Sequence, residues 1–118
     1  MNHDVGTYLA GKPPAAVELF QQFRTKVLDA GECEERVHPT EVAWAAKRVF
    51  AAAFILSGRL EIAIDLQRRV EHPALRASFP TTKKVYTHRF TVTSADDLDD
   101  RIREWLLEAH EAVGPGTR

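Results

Sequence analysis

Phe50-Ala51-Ala52-Ala53-Phe54-Ile55-Leu56-Ser57-Gly58-Arg59-Leu60-Glu61-Ile62-Ala63-Ile64-Asp65-Leu66 is the stretch that decides the fold. Leu60, Ile62, Ile64 and Leu66 alternate with Glu61, Ala63, Asp65 and Gln67, the period-two pattern of a half-buried strand. Before the turn, Phe50, Ala52, Phe54 and Leu56 alternate with Val49, Ala51, Ala53 and Ile55. Ser57-Gly58 between the two runs reads as a hairpin turn. Working outward, Val42, Trp44 and Ala46 alternate with Ala43, Ala45 and Lys47, and His38-Pro39 separates them from a short strand with Cys33, Glu35 and Val37. A last strand covers about Val85–Val92, with Tyr86, His88, Phe90 and Val92 on one face. Residues 67–82 hold Pro73 and Pro80 and read as a long loop, with one helical turn around Ala74–Ala77.

The ends of the chain change period. After Pro13-Pro14, suited to a first helical turn, Ala16, Phe20, Phe23 and Val27 recur at helical spacing as far as Ala30, and Gly31 supplies the stop. Near the other end, Ser94 and Asp97 form a capping pattern. Leu98, Ile102, Trp105 or Leu106, Ala109 and Val113 follow as the apolar stripe, ended by Gly114-Pro115-Gly116. Asp96, Asp97, Asp99 and Asp100 suit the positive end of the helix dipole. Short turns imply antiparallel pairing, because parallel strands need long crossovers. The expected fold is α+β in the order α-β-β-β-β-α: an antiparallel sheet of about four to five strands with both terminal helices on one face. Residues 1–12 read as a lead-in, 13–114 as a single domain and 115–118 as a tail.

Composition bounds the function. The chain has 118 residues, 44% hydrophobic and 28% charged, so it is globular. No apolar run reaches the ~18 residues of a membrane span, and Met1 to Gly11 lacks the basic-then-apolar order of a secretory signal, so a cytoplasmic location is expected. Cys33 is the only cysteine, which excludes an internal disulfide framework and CxxC zinc sites. It reads as a small buried hydrophobe rather than a nucleophile. His38, His72, His88 and His110 show no metal-binding spacing, so neither a metal nor a cofactor is expected. Trp44 and Trp105 read as core, and Glu104, Glu108 and Glu111 as a solvated helix face.

Two features point beyond a bland domain. Residues 42–93 carry nine Lys/Arg (Lys47, Arg48, Arg59, Arg68, Arg69, Arg76, Lys83, Lys84, Arg89) against three acids, whereas the flanking segments are acidic and the total is -1. Such segregation can steer an anion to the sheet, although its commoner meaning is a solvated surface with ordinary helix-end acids. No RRM signature, zinc finger or glycine-rich phosphate loop is present, which leaves nucleic acid a lesser candidate. The strand faces are also unequal. Trp44, Phe50, Phe54, Leu56, Leu60, Ile62, Ile64 and Leu66 form the large face expected beneath the helices. Ala43, Ala45, Ala51, Ala53 and Ala63, with Val49 and Ile55, form a small face that is left for an interface or groove, or is crossed by the long loop.

Several segments together resemble the DUF5655 family, a bacterial domain of unknown function. They are Tyr8-Leu9-Ala10-Gly11-Lys12-Pro13-Pro14, Arg48-Val49-Phe50-Ala51, Gly58-Arg59-Leu60, His72-Pro73, His88, and Asp96 to Asp100 followed by Trp105-Leu106-Leu107-Glu108-Ala109-His110. The resemblance covers nearly the whole chain. The family often has an aromatic where His110 stands. It implies a fold and supplies no catalytic residue.

The leading expectation is therefore a non-enzymatic binding module that uses its sheet face and the 67–84 segment. Ala43, Ala45, Ala51, Ala53 and Ile55 are its candidate interface, open to a homodimer or a protein partner. The alternative is a protein or enzyme acting on an anionic small molecule, in a basic pocket of Arg48, Arg59, Arg69, His72, Lys84 and His88. No acid–base or nucleophile arrangement favours an enzyme.

Overall fold

The structure, a computed structural model, describes residues 4–46 and 48–112. Three helices, α1 (Val5–Leu9), α2 (Pro14–Asp29) and α3 (Asp100–Ala112), flank six strands: β1 (Glu34–Val37), β2 (Val42–Ala46), β3 (Arg48–Leu56), β4 (Arg59–Leu66), β5 (Leu75–Pro80) and β6 (Tyr86–Val92). All pair antiparallel in the order β1-β2-β3-β4-β6-β5. The architecture is the expected α+β sheet with helices at both ends, one strand larger. The additional strand is β5, within the segment read as a loop; it pairs with β6 at the sheet edge, where Pro80 ends it without costing an interior ladder bond. Residues 5–9, read as lead-in, form α1. Asp4 caps it by accepting from the Thr7 amide at 2.8 Å, and the Tyr8 hydroxyl accepts from the Ile55 amide at 2.8 Å. The Gly114-Pro115-Gly116 stop, Val113 and the 115–118 tail lie outside the described residues, as does Lys47.

The core lies between the sheet and the two long helices. Ala16, Phe20, Phe23 and Val27 of α2 are fully buried, as their spacing predicts, and meet Ile102, Trp105, Leu106 and Ala109 of α3 over the sheet. Trp44 is seated between Phe20 and Phe23, with ring centroids 6.0 and 5.8 Å away. Each such side chain stabilises the fold by about 1.5–3 kcal/mol. The Ser94–Asp97 capping box forms, but it closes a single 3-10 turn, Ala95–Asp97; α3 starts later, where Asp99 Oδ1 accepts from the amides of Arg101 and Ile102.

One expectation about the faces is corrected. Leu56 pairs with Arg59 across the two-residue turn, so odd-numbered residues of β3 oppose even-numbered residues of β4. Ala51, Ala53 and Ile55 therefore share the helix-covered face with Ile64, Ile62 and Leu60, and Phe54 and Leu56 point the other way. Phe50 would follow them, but the β2–β3 register shifts between Trp44 and Ala45. This bulge turns Phe50 back into the core, where its ring meets His110 edge-on at 5.3 Å.

Candidate functional site

On the face turned away from the helices, the register lines up one residue from each strand. Arg36 opposes Ala43, Ala43 opposes Ala52, Ala52 opposes Ala63, Ala63 opposes Arg89, and Arg89 opposes Ala77. This is a run of alanines across the strands with an arginine to either side of its centre. Methyl side chains cannot fill the space that longer neighbours enclose, and a hollow of about 240 Å³ results. Ala52 and Ala63 are its floor, and Glu41, Phe54, Glu61, Phe79, Thr87 and Arg89 surround them. The helices lie on the other side. So does the 67–74 segment, since Arg68 binds Glu108 of α3 at 2.9 Å and His72 packs on Trp105.

Charge on this face is largely internally matched. Glu61 is fully buried and accepts from Arg59 Nε (3.2 Å), Arg76 Nη1 (3.2 Å) and the Thr91 hydroxyl (3.0 Å). Asp65 accepts from Arg48 Nη2 (3.3 Å) and the Thr87 hydroxyl (2.8 Å), and burial raises its carboxyl above the usual range. Arg36 is paired with Glu34 at 2.9 Å. Arg89 differs. Among the described residues no carboxylate pairs with it, and its guanidinium lies 5.5 Å from the centre of the Phe54 ring.

The six candidate ligand-binding residues are not gathered into one pocket. Arg48 and Arg59 end in the ion pairs above. The Arg69 guanidinium stacks 4.8 Å over the Tyr86 ring. Lys84 stands exposed in the β5–β6 turn, its amide donating to the Thr82 hydroxyl. His72 is a structural staple: its Nδ1 accepts from the Ala74 amide at 2.9 Å, its Nε2 meets Asp99 at 3.2 Å, and its ring lies edge-on to Phe90 and Trp105. His88 is wholly buried on the helix side, with Nδ1 3.3 Å from the Ile64 carbonyl. Burial lowers its pKa, the arginines at 68 and 69 push the same way, and hydrogen bonds to the backbone of Ile64 and Tyr86 oppose them. Arg68 and Arg69 lie beyond the end of β4, so strand alternation does not separate them; Arg68 binds Glu108 of α3 and Arg69 lies over Tyr86.

Of the candidate interface residues, only Ala43 and Ala45 lie on the side away from the helices, and both are buried there, 5% and 4% exposed. Ala51 and Ala53 are 2% and 1% exposed beneath the helices, with Ile55 beside them. Ala63 stands on this face as its alternation predicts, whereas Ala52, Ala77, Phe79, Thr87, Arg89 and Glu41 hold the places that sequence reasoning gave to others. The parity imposed by Ser57-Gly58 was the signal that identifies most of them. Cys33 is half-buried against the core, and burial raises its thiol pKa. Among the described residues no group of three His, Cys, Asp or Glu side chains is placed to hold a metal ion, and no helix is long and apolar enough to cross a membrane.

Fold and site together define an α+β domain with a half-covered antiparallel sheet and a small hollow on its bare face. The family described as "Domain of unknown function (DUF5655)" matches residues 5–113, and the chain belongs to it. No curated protein and no solved structure matches the chain.

Proposed function

We propose that this domain is a binding module that takes its ligand on the open face of the sheet. The observation that carries this reading is the hollow over Ala52 and Ala63, on the side opposite both long helices. Ligand sites are concave and mostly apolar, with a few fixed polar groups. Here Phe54 and Phe79 supply apolar walls, and Arg89 the polar group. The 67–84 segment takes part through β5, which contributes Phe79 and the Arg76 that holds Glu61. Binding rather than turnover is favoured because the buried carboxylates of this face, Glu61 and Asp65, are each held by arginine and threonine. Both oxygens of each carboxylate already accept from these partners within the sheet.

Ligand-observed NMR with a fragment library tests the reading. Hits are expected to lose binding in the Phe54→Ser/Phe79→Ser double variant while its far-UV circular dichroism stays native. A library whose hits bind the double variant equally well removes the open face as the site. A dimeric mass by light scattering that becomes monomeric in the double variant would replace the ligand with a second copy of the chain.

A further inference from the structure

The surroundings of the hollow restrict what it can hold. Strands lie about 4.8 Å apart, so the methyl groups of Ala52 and Ala63 form a flat apolar floor about as wide as a six-membered ring. A volume of about 240 Å³ lies below the ~300–1,000 Å³ of sites for drug-sized ligands, which suits a single ring with one substituent. The charges are equally restrictive. Glu61 is shared by Arg59 and Arg76, and Glu41 and Arg89 line the hollow without an ion pair to each other. Arg59 and Arg76 bind Glu61 from outside the lining; counted with Arg89 against Glu61 and Glu41, they leave an excess of one positive charge around the hollow. The Arg89 guanidinium carbon lies 5.5 Å from the centre of the Phe54 ring, and among the described residues no carboxylate takes up its N–H groups.

Resting on the reading of the open face as the binding surface, we infer that the hollow takes a small monocarboxylate with a flat apolar body, its carboxylate on the edge of Arg89 and its body over Ala52 and Ala63. The single positive excess matches one negative charge rather than two. Glu41 then acts against the anion from the rim, weakening its binding and excluding dianions. Arg89 and Glu41 should have opposite effects on the same ligand, which a merely structural role for either would not produce.

The full chain, labelled with ¹⁵N, is titrated with benzoate, benzyl alcohol and phenyl phosphate, and the amide shifts of Ala52, Ala63 and Phe79 are followed. Benzoate is expected to bind in the millimolar range and at least roughly fivefold more tightly than benzyl alcohol, as one exposed charge-assisted contact allows. Phenyl phosphate, the dianion, is expected to bind more weakly than benzoate. Arg89→Gln should abolish the preference for benzoate while leaving benzyl alcohol unchanged, and Glu41→Gln should tighten benzoate alone. Equal binding of benzoate and benzyl alcohol to the unaltered chain overturns the inference and leaves the open-face site standing. Phenyl phosphate binding as tightly as benzoate overturns the monoanion class. An absence of shifts at Ala52 and Ala63 with all three probes overturns both the inference and the site. The comparison on the unaltered chain and the Glu41→Gln arm do not depend on whether Arg89→Gln folds.

Discussion

The imidazole of His110 occupies the space that a Cβ on Gly31 would need: an added carbon there would lie 2.6 Å from the ring. Gly31 follows α2 with φ 148°, a backbone region that side chains disfavour. His110 closes the same corner from α3, its Nε2 2.7 Å from the Glu32 carbonyl oxygen and its ring edge-on to Phe50. Gly31→Ala should therefore destabilise the fold by about 2–3 kcal/mol in urea denaturation, through both clash and backbone strain. Gly31→Ala/His110→Ala should cost less than the two single changes added together, because the second removes the ring that the new methyl strikes.

Phe50 and Phe54 provide a sharper contrast. They sit four residues apart on one strand, yet the bulge beside Ala45 sends Phe50 to the core while Phe54 stays on the open face. Phe50→Ala should cost about 3–5 kcal/mol, as a filled core site requires. Phe54→Ala should cost about 1–1.5 kcal/mol, from a half-buried ring and its contact with Arg89. Equal losses in denaturation midpoint would contradict the bulge.

This pair also explains what could be read in advance. The helix stripes at Phe20, Phe23, Ile102 and Trp105 and the hairpin at Ser57-Gly58 were legible, because amphipathic periodicity and turn chemistry are local. The faces were not assigned correctly, because alternation within one strand says nothing about which face it shares with its neighbour. That follows from the pair Leu56 and Arg59, which a two-residue turn dictates, and it moves Ala51 and Ala53 into the core and Ala52 to the open side, beside Ala63. The bulge left no local mark. β5 was hidden because an edge strand with Pro80 and exposed Arg76 lacks a clean alternation. The histidines at 72 and 88 could be assigned to a basic pocket only while their burial was unknown.

His88 gives a pH-dependent test. It is buried on the helix side and its pKa is lowered, chiefly by that burial. Between its folded-state pKa and about 6.5, the unfolded chain carries a proton on this residue that the folded chain does not. Stability from this group is thus complete above about 6.5 and is lost as pH falls toward the folded value. The ring proton of His88 should titrate below 6.5 by NMR, and His88→Gln should flatten the loss of urea midpoint between about pH 7 and pH 5.5. A titration at or above 6.5 would refute the buried, neutral assignment.

Glu35 tests the acid side. Burial pushes its pKa up, but hydrogen bonds from Arg24 (2.6 Å) and Trp44 Nε1 (2.8 Å) outweigh this and hold it below the usual value. Its contribution is present above the unfolded carboxylate pKa and is lost as pH falls through the folded one. Arg24→Gln should raise the pKa of Glu35 and move the onset of acid unfolding to higher pH. An unchanged onset would show that the bridge between α2 and β1 contributes nothing to folding.

The central claim is that the alanine row containing Ala52 and Ala63 is the bare, ligand-taking face, and that the row containing Ala51 and Ala53 lies beneath the helices. The most direct measurement compares the urea midpoints of Ala52→Glu and Ala53→Glu. Ala53 is 1% exposed in the core, so a carboxylate there should cost more than about 3 kcal/mol or prevent folding. Ala52→Glu should leave stability within about 1 kcal/mol, because the new group stands at the open hollow within reach of solvent and Arg89. The reverse order, with Ala52→Glu unfolding the chain and Ala53→Glu tolerated, would put the helices on the other face and remove the site.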